Sequence, residues 1–208
     1  MLLILGAVAV GVALGLVFGG TLRNLGQIHL RWWPLAFVGL ILQVIPVPSR
    51  PGRVDHWIGV GLLMASFVVL LVFVGANVRR PGVPLIAVGF ALNLLVIAVN
   101  GGMPVGESAL RAAAGDQYRQ TLRHLTEGGG AKHHLERPDD VLLPLADVIP
   151  LGPPLRSVLS VGDTLWLLGG AWVVAAATRR PFALEDPRYR GRHRTGEAVE
   201  RKEPAGHR

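Results

Sequence analysis

The chain has 208 residues, of which 50% are hydrophobic and only 17% are charged, and its mean hydropathy is +0.43. This balance is typical of an integral membrane protein and argues against a soluble globular domain. The formal net charge is +7, and Lys132 and Lys202 are the only lysines among the basic residues. The sequence contains no cysteine, which excludes disulfides and thiolate-bound metals, and we expect no cofactor.

Five apolar segments follow one another along the chain, and a membrane-spanning helix needs about 20 apolar residues. The second segment is the shortest and contains Gln43 and Pro46, so it is either a tilted span or a re-entrant piece. We favour a span, because Trp32 and Trp33 are typical of an interfacial anchor. We therefore predict an all-α integral membrane protein with about five transmembrane helices. The segments are Leu2–Gly20, Trp32–Val47, Trp57–Val78, Val83–Val99 and Val158–Thr178.

The first apolar segment carries Gly11, Gly15 and Gly19, which places three positions without side chains on one helix face. Such a face favours the close approach of another helix, either within the chain or in helix-helix self-association of two chains. We expect this segment to be a retained helix. A cleaved signal peptide would show a basic residue before the apolar run and a small-residue cleavage site after it.

The basic residues indicate how the helices cross the membrane. Five spans place the loops 21–31 and 79–81 and the tail on one side, and the loop 48–56 and the long segment 100–157 on the other. The first set is richer in basic residues, so the positive-inside rule places the tail in the cytoplasm. We predict a multi-pass protein of the plasma membrane with its amino terminus outside. A re-entrant second segment would move the amino terminus to the cytoplasmic side.

The last 30 positions are rich in Arg, Glu, Pro and Gly and have almost no apolar pattern, which predicts disorder. Beyond the lipid bilayer itself, the basic tail is a candidate for contact with anionic lipid headgroups. We expect no nucleic-acid binding, because no aromatic residues are interleaved with the basic ones. The predicted regions are four transmembrane helices at 1–99, an extracytoplasmic loop at 100–157, a fifth helix at 158–178 and a cytoplasmic tail at 179–208.

The long segment 100–157 begins with an amphipathic pattern. Ser108 is the expected N-cap of a helix, and the glycine run 128–130 is expected to end it. A helix of this kind lies in the membrane interface or folds over the mouth of the helix bundle. Its apolar positions are Leu110, Ala114, Tyr118, Leu122 and Leu125, and its basic positions are Arg111, Arg119 and Arg123.

Two His-x-x-Glu pairs in this segment are weak candidates for metal ligands. They are His124 with Glu127 and His133 with Glu136. Imidazole and carboxylate groups three residues apart can share a helix face and hold a metal. The spacing matches no established zinc signature, so we predict no metal and treat the pairs as part of a solvated, charge-balanced loop.

Two aspartates stand in apolar surroundings. Asp147 lies in the run 141–151, which is too short to span and should be a re-entrant or capping stretch, and Asp163 lies near the start of the fifth helix. A carboxylate inside a span costs about 2.5 to 3.5 kcal/mol, so each must face a partner, a cavity or the interface. Ser160 or Asp163 could simply cap the fifth helix, and Asp147 could belong to a turn. If the two carboxyls meet, one should keep a proton.

The stretch Asn100-Gly-Gly-Met-Pro-Val105 ends the fourth apolar segment. Asn93 and Asn100 are seven residues apart, so both can face the same side of the helix. The glycines permit a sharp turn, and Pro104 prevents the helix from continuing. We predict that this stretch forms the floor of an outer-face site near Lys132, His133 and the two aspartates.

An ordered set of short motifs carries a family resemblance. The set comprises AsnGlyGlyMetProVal at 100–105, LysHis at 132–133, LeuAlaAspValIlePro at 145–150 and SerValGlyAsp at 160–163. It is similar to an uncharacterised family of small bacterial integral membrane proteins, catalogued as a domain of unknown function. The resemblance covers roughly residues 1 to 180. It implies the membrane fold and this choice of site, and it implies no activity.

Two functions of different classes remain open. The first is a non-catalytic membrane module that binds a lipid, small ligand, cation or partner protein through Asn93, Asn100, Lys132, His133 and the two aspartates. The second is a membrane-interface hydrolase in which Asp147 and Asp163 act on water as an acid/base pair. Transport is a third class, but one chain has few helices and no inverted repeat.

Overall fold

The computed structural model describes residues 2–45, 53–123, 125–126 and 132–179. The predicted tail beyond Arg179 and the glycine run 128–130 therefore lie outside the described residues. Among the described residues, the 3-10 turns Gly115–Gln117 and Leu143–Leu145 accompany the helices and strands. In chain order these are α1 (Leu2–Val17), α2 (Leu22–Leu25), α3 (Trp33–Val44), α4 (Arg53–Ala76), α5 (Val83–Asn100), β1 (Met103–Val105), α6 (Glu107–Ala114), α7 (Tyr118–Arg123), β2 (His133–Leu135), β3 (Ile149–Leu151), β4 (Ser157–Leu159) and α8 (Val161–Arg179).

The chain is mostly helical, and each of the five apolar segments contains one helix. Within the described residues, three helices are long and apolar enough to cross a membrane: His56–Ala76, Val83–Asn100 and Val161–Arg179. Helix α3 has 12 residues and would cover about 18 Å of a hydrocarbon core that is about 30 Å thick. Helix α1 has 16 residues and is also short. Five complete spans therefore stay a prediction.

The five apolar helices pack in the order α1, α8, α5, α4, α3, each against its neighbour. We call the end at which α5 ends and α8 begins the upper end, and the opposite end the lower end. Glycines let α5 and α8 approach closely: a methyl group at Gly89 would lie 2.5 Å from the carbonyl oxygen of Gly162. A methyl group at Gly169 would lie 2.8 Å from the carbonyl oxygen of Gly82. The backbones of the two helices are therefore in direct contact.

The glycines of α1 pack within the chain. A methyl group at Gly11 would lie 2.5 Å from the carbonyl oxygen of Ala171 in α8, and one at Gly15 would overlap the side chain of Thr178. Gly19 lies beyond the end of α1, has a φ of +81°, and has no atom within 4 Å of the position that a methyl group would take. Two of the three glycines thus form the α1–α8 contact, and self-association through this face stays a prediction.

The segment between α1 and α3 crosses the lower end of the bundle and is held there by two asparagines. Asn24 donates from Nδ2 to the carbonyl oxygen of Thr178 at 2.7 Å. Asn77, which is 4% exposed, accepts from the Arg31 N–H at 3.0 Å and donates to the Arg31 carbonyl at 2.9 Å. These bonds satisfy backbone groups that have no partner in a helix.

A small mixed structure covers the upper end, which we call the cap (residues 101–123 and 132–160). Strand β1 pairs in parallel with β2, and Val105 forms a further parallel bridge to Asp147. Strands β3 and β4 form an antiparallel pair. The prediction of an all-α protein is therefore incomplete, because the cap also contains four short strands. Three-residue strands show no alternation that a sequence could reveal.

The cap is anchored in the apolar core. Met103 from β1 and Ala146 from the stretch before β3 are 3% and 0% exposed, and they pack with Val96 and Ile97 of α5. The run 141–151 thus lies against the upper ends of α4 and α5 as a capping stretch. Its backbone is paired with β1 and β4, which satisfies polar groups that an apolar position would otherwise leave without partners.

The amphipathic helix differs from its prediction in two places. It begins at Glu107, after Gly106 as N-cap, so Ser108 lies inside the helix. It also breaks at Gly115, which has a φ of +55° and turns the chain from α6 through a 3-10 turn into α7. The apolar periodicity predicted one helix because it carries no information on a left-handed glycine within the pattern. Leu110 and Ala114 are buried, as their spacing predicted.

Candidate functional site

Asp163 lies in the first turn of α8, where its carboxylate accepts three N–H groups. Oδ2 accepts from the backbone N–H of Ser160 at 3.3 Å, and Oδ1 accepts from Trp166 Nε1 at 3.1 Å and from Asn93 Nδ2 at 2.8 Å. The Ser160 hydroxyl in return accepts from the Asp163 N–H at 2.8 Å. Ser160 and Asp163 thus form a reciprocal capping box at the start of α8. Asp163 therefore caps the start of α8, as one of the two sequence interpretations expected.

Asn93 joins this cap to α5. Its side chain is 2% exposed, and besides donating to Asp163 it accepts from the Ser160 hydroxyl at 2.8 Å. Both ends of the amide are therefore used across the α5–α8 contact. A methyl group at Gly162 would overlap the Asn93 amide and lie 2.6 Å from the carbonyl oxygen of Gly89. The glycines are the reason that an amide one turn from Gly89 can reach the start of α8.

Asp147 is held by its backbone, whereas its carboxyl has no hydrogen-bond partner in the described part of the chain. Its N–H donates to the Pro104 carbonyl at 3.1 Å, and its carbonyl accepts from the Gly106 N–H at 2.9 Å. The residue is 7% exposed. Burial, and secondly the negative charge of Asp163, raise the pKa of the Asp147 carboxyl to about 8. The Asp147 carboxyl therefore keeps its proton to a much higher pH than an ordinary aspartate.

His133 faces Asp147 from strand β2. The distance from its Nε2 to Asp147 Oδ2 is 3.8 Å. Loss of hydration lowers the pKa of the imidazole, the negative charge of Asp163 acts in the opposite direction, and Lys132 and His134 lower the pKa further. A lowered pKa makes His133 neutral at pH 7, although 45% of its side chain stays accessible. The predicted site residues Asp147, Asp163 and His133 are thus brought within electrostatic reach of one another.

Asn100 takes a structural role at the end of α5. Its Oδ1 accepts from the Val141 N–H at 2.8 Å, and its Nδ2 donates to the carbonyl oxygens of Val141 and Val96, each at 2.9 Å. These bonds fasten the capping stretch to the helix end. Gly101 and Gly102 follow with φ values of +64° and +147°, which turn the chain directly into β1. The predicted sharp turn is present, and the Asn100 amide is fully used within it.

Lys132 is directed toward α3. Its ammonium group donates to the carbonyl oxygen of Gln43 and, at 3.3 Å, to that of Ile45. A lysine at a helix carboxyl end pairs with unsatisfied carbonyls and with the negative end of the helix dipole. Desolvation lowers the pKa of this lysine. Lys132 therefore connects the cap to α3, and no direct contact joins it to Asp147 or Asp163.

A second buried pair was not anticipated from the sequence. His134 Nε2 lies 3.1 Å from Asp140 Oδ1, and the two side chains are 6% and 4% exposed. Asp140 also accepts from the Arg137 N–H at 2.7 Å. His134 follows His133 in a strand, so the two rings point to opposite faces. In the sequence, only this alternation distinguishes the roles of the two histidines. It can be used only if residues 133–135 are recognised as a strand.

No group of three or more His, Asp or Glu side chains in the described ranges is arranged to hold a metal ion. Of the four weak metal candidates, His124 and Glu127 lie outside the described residues. His133 faces Asp147, and Glu136 accepts from the Glu107 N–H at 3.1 Å, which caps the start of α6.

The arrangement offers a specific chemistry. It combines the Asp147 carboxyl, whose pKa is raised to about 8, the His133 imidazole, whose pKa is lowered, and the Asp163 carboxyl within electrostatic reach of both. A neutral acid donates one hydrogen bond and accepts others, and a neutral imidazole can do either. These groups have the hydrogen-bonding chemistry that a site for polar ligands needs.

Comparison with known proteins agrees with the sequence motifs. The model of the Family of unknown function (DUF5317) matches residues 27–175. An uncharacterized protein of Thermotoga maritima is 30% identical over 156 residues, which cover 74% of this chain and 79% of the relative. No solved structure gives a significant match. The predicted resemblance to a family of unknown function is confirmed, and the chain belongs to the DUF5317 family.

Proposed function

We propose that this chain is a membrane protein that binds a small polar ligand at the upper end of its helix bundle. The ligand-binding groups are the Asp147 carboxyl and the His133 imidazole, and Asp163 lies within electrostatic reach of both. The observation that carries the proposal is the Asp147 side chain, which is buried and has no hydrogen-bond partner among the described residues, and burial raises the pKa of its carboxyl to about 8.

Leaving a buried polar group without a partner costs about 1 to 3 kcal/mol. Asn93, Asn100 and Asp163 avoid that cost, because each makes two or more hydrogen bonds. Asp147 differs from them and keeps 10% of its side chain accessible beside the half-exposed His133. A ligand that pairs with the carboxyl would add a hydrogen bond that the described residues do not make, and buried groups with strongly shifted pKa values are concentrated at functional sites.

Membrane insertion is supported by the helix surfaces. Large apolar side chains stay exposed on all five apolar helices, which is expected where lipid replaces water. Examples are Leu5, Phe37, Ile58, Leu95 and Trp172, all between 47% and 60% exposed. Arg79 lies at the lower end and the cap at the upper end, so the positive-inside rule favours a cytoplasmic lower end and a ligand site on the outer face.

The hydrolase alternative has one observation in its favour. The charge of Asp163 raises the pKa of Asp147, as the acid/base pair of an aspartic hydrolase requires. Against it, both Asp163 oxygens already accept N–H groups of the protein, and the hydrolase would need one of them to activate water. The geometry therefore supports ligand binding better than hydrolysis.

The test is to identify small molecules that the purified protein retains. Wild-type protein, Asp147→Asn and the matched control Asp139→Asn would be purified in detergent, extracted with solvent and compared by mass spectrometry. Asp139 is an exposed aspartate of the same cap. A molecule retained by the wild type and the control but absent from Asp147→Asn supports the proposal. Equal retention by all three proteins would contradict it.

A further inference from the structure

The loops at the lower end of the bundle carry only positive charge within the described residues. The segments 17–33, 76–83 and 178–179 contain no aspartate or glutamate. Their basic residues are Arg23, Arg31, Arg79, Arg80 and Arg179. The cap differs, because arginines there pair with acids, as Arg111 does with Glu107. The described lower end thus has no acidic side chain of its own to neutralise its arginines.

Three of these arginines are brought to one place by the buried side chain of Asn77. Its amide accepts from the Arg31 N–H at 3.0 Å and donates to the Arg31 carbonyl at 2.9 Å. The Asn77 carbonyl accepts from the Arg80 N–H at 3.0 Å, which closes the turn that carries Arg79 and Arg80. The Arg80 guanidinium in turn donates to the His29 carbonyl at 2.6 Å. The loop before α3 and the loop after α4 are therefore fastened together, with what we call the arginine cluster (Arg31, Arg79 and Arg80) at their junction.

The arginine cluster is suited to an external anion. Like charges that are held close together repel one another, and an anion between them turns this repulsion into attraction. The side chains of Arg31 and Arg79 are exposed and form no hydrogen bond or ion pair with another described residue. Membrane topology requires basic residues at this end, but it does not require three of them to meet at one junction. Guanidinium groups bind phosphate oxygens with paired N–H donors, so a phosphate fits the arginine cluster best.

The surroundings of the arginine cluster favour the phosphate of a lipid. Trp32 and Trp33 follow Arg31 directly and are 57% and 59% exposed. Trp33 packs edge-on against the exposed ring of Phe37, with ring centroids 5.6 Å apart. Val78, which precedes the other two arginines of the cluster, is also exposed. Exposed tryptophans at the end of an apolar helix lie at the headgroup level of a bilayer, which is also the level of the lipid phosphates.

We propose, resting on the membrane insertion proposed above, that the arginine cluster binds the phosphate of an anionic phospholipid at the lower end of the bundle. The guanidinium groups donate N–H to the phosphate oxygens, and the acyl chains lie against the exposed apolar side chains of α3. A zwitterionic lipid fits less well, because its ammonium group would lie among arginines, and the described residues of this end contain no acid to pair with it. This lipid site is separate from the ligand site at Asp147, which lies at the opposite end.

The test is a lipid competition on the full chain in detergent, measured by native mass spectrometry. Phosphatidylglycerol and phosphatidylcholine with identical acyl chains are added in equal amounts, and the ratio in which the protein retains them is determined. Arg31→Gln and Arg79→Gln each remove one exposed guanidinium of the arginine cluster, which should leave the fold intact. The matched control is Arg23→Gln, which removes the same charge from an exposed arginine of α2 at the same end, where α2 packs against α8.

We expect the wild type to retain phosphatidylglycerol in preference to phosphatidylcholine. Arg31→Gln and Arg79→Gln should each lower the retention ratio about fivefold, which corresponds to the contribution of one basic residue close to a membrane surface. Arg23→Gln should stay near the wild-type ratio, because Arg23 is not part of the arginine cluster. Asp147→Asn should also keep the wild-type ratio, so this lipid is distinguished from the ligand proposed for the upper end.

Four outcomes would overturn the inference. Equal retention of the two lipids by the wild type, or a ratio that both cluster variants leave unchanged, would refute the lipid site. An equal fall in Arg23→Gln would assign the preference to the overall charge of the lower end. A further arm adds sodium phosphate, with sodium chloride of the same ionic strength as its control. Displacement of phosphatidylglycerol by phosphate alone would mean that the arginine cluster binds a free anion instead of a lipid.

Discussion

Asn93 in α5 and Asp163 in α8 are 70 positions apart in the chain and are joined by a hydrogen bond of 2.8 Å from Nδ2 to Oδ1. This bond lies where glycine backbones bring the two helices into contact, and it positions the carboxylate whose charge acts on the buried acid in the cap. Packing of α5 against α8 and the electrostatics of the proposed site therefore depend on the same amide.

Asn93→Ala should destabilise the protein by about 1 to 3 kcal/mol, because it leaves the Ser160 hydroxyl and part of the Asp163 carboxylate without a partner. Unfolding of the purified protein in mixed micelles measures this. Leu95→Ala is the control, since Leu95 lies on the same helix and is 47% exposed. Equal effects of the two substitutions would mean that the amide contributes nothing specific.

Gly162→Ala should separate α5 from α8, because the added methyl group would overlap Asn93 and lie 2.6 Å from the Gly89 carbonyl oxygen. Overpacking of this kind costs about 1 to 3 kcal/mol. Gly170→Ala on the same helix is the matched control, since nothing lies within 4 Å of its added methyl group. The thermal unfolding midpoint should fall for the first variant and stay near the wild-type value for the second.

Lys132→Met should loosen α3, because the variant loses the ammonium group that pairs with the Gln43 and Ile45 carbonyls. A favourable charge at a helix end contributes about 0.3 to 1 kcal/mol. Hydrogen exchange in the last turn of α3 should become faster, with exposed Arg137→Met as the control. Unchanged exchange together with loss of the retained ligand would show that Lys132 binds ligand, as the sequence predicted, and does not cap α3.

The raised pKa of Asp147 makes stability depend on pH. Its ordinary value is 3.8 and its value in the folded chain is about 8, so the folded state binds the proton more tightly than the unfolded state. This contribution is fully present below about pH 4 and is lost as the pH rises toward 8, by at most about 1.4 kcal/mol per pH unit.

Asp147→Asn carries a neutral amide at every pH and should remove this dependence. Unfolding measured at pH 5 and at pH 8 should show a smaller loss of stability in Asp147→Asn than in the wild type. Asp139→Asn should keep the wild-type slope. If the free energy of unfolding changed equally with pH in all three proteins, Asp147 would not be the residue with the raised pKa.

Hydropathy located the helices of this protein well, because a long apolar segment has few alternatives to a helix. The segment predicted at Val83–Val99 is the helix Val83–Asn100. The first and last residues of a helix were harder to predict where hydrogen bonds to distant parts of the chain determine them. The fifth segment was predicted from Val158, but Val158 and Leu159 pair in β4, and the helix begins after Ser160 caps it.

The sequence identified most residues of the proposed site, but it did not predict which atoms each of them contacts. Buried carboxylates are costly, which is why Asp147 and Asp163 were singled out, and the structure puts them within electrostatic reach of His133. Asn100 and Lys132 share their neighbourhood, but their polar groups bind backbone carbonyls and N–H groups. Only the three-dimensional structure shows such bonds, because any polar side chain near an unpaired backbone group can form them.

The central claim is that Asp147 is a buried acid which carries a proton at neutral pH and is available to a ligand. The most direct measurement is an infrared titration of the full chain in nanodiscs, with the carboxylic acid band assigned by its loss in Asp147→Asn. We predict that this band titrates with a midpoint near the pKa of about 8. A midpoint near 4, or a band that persists in Asp147→Asn, would contradict the account.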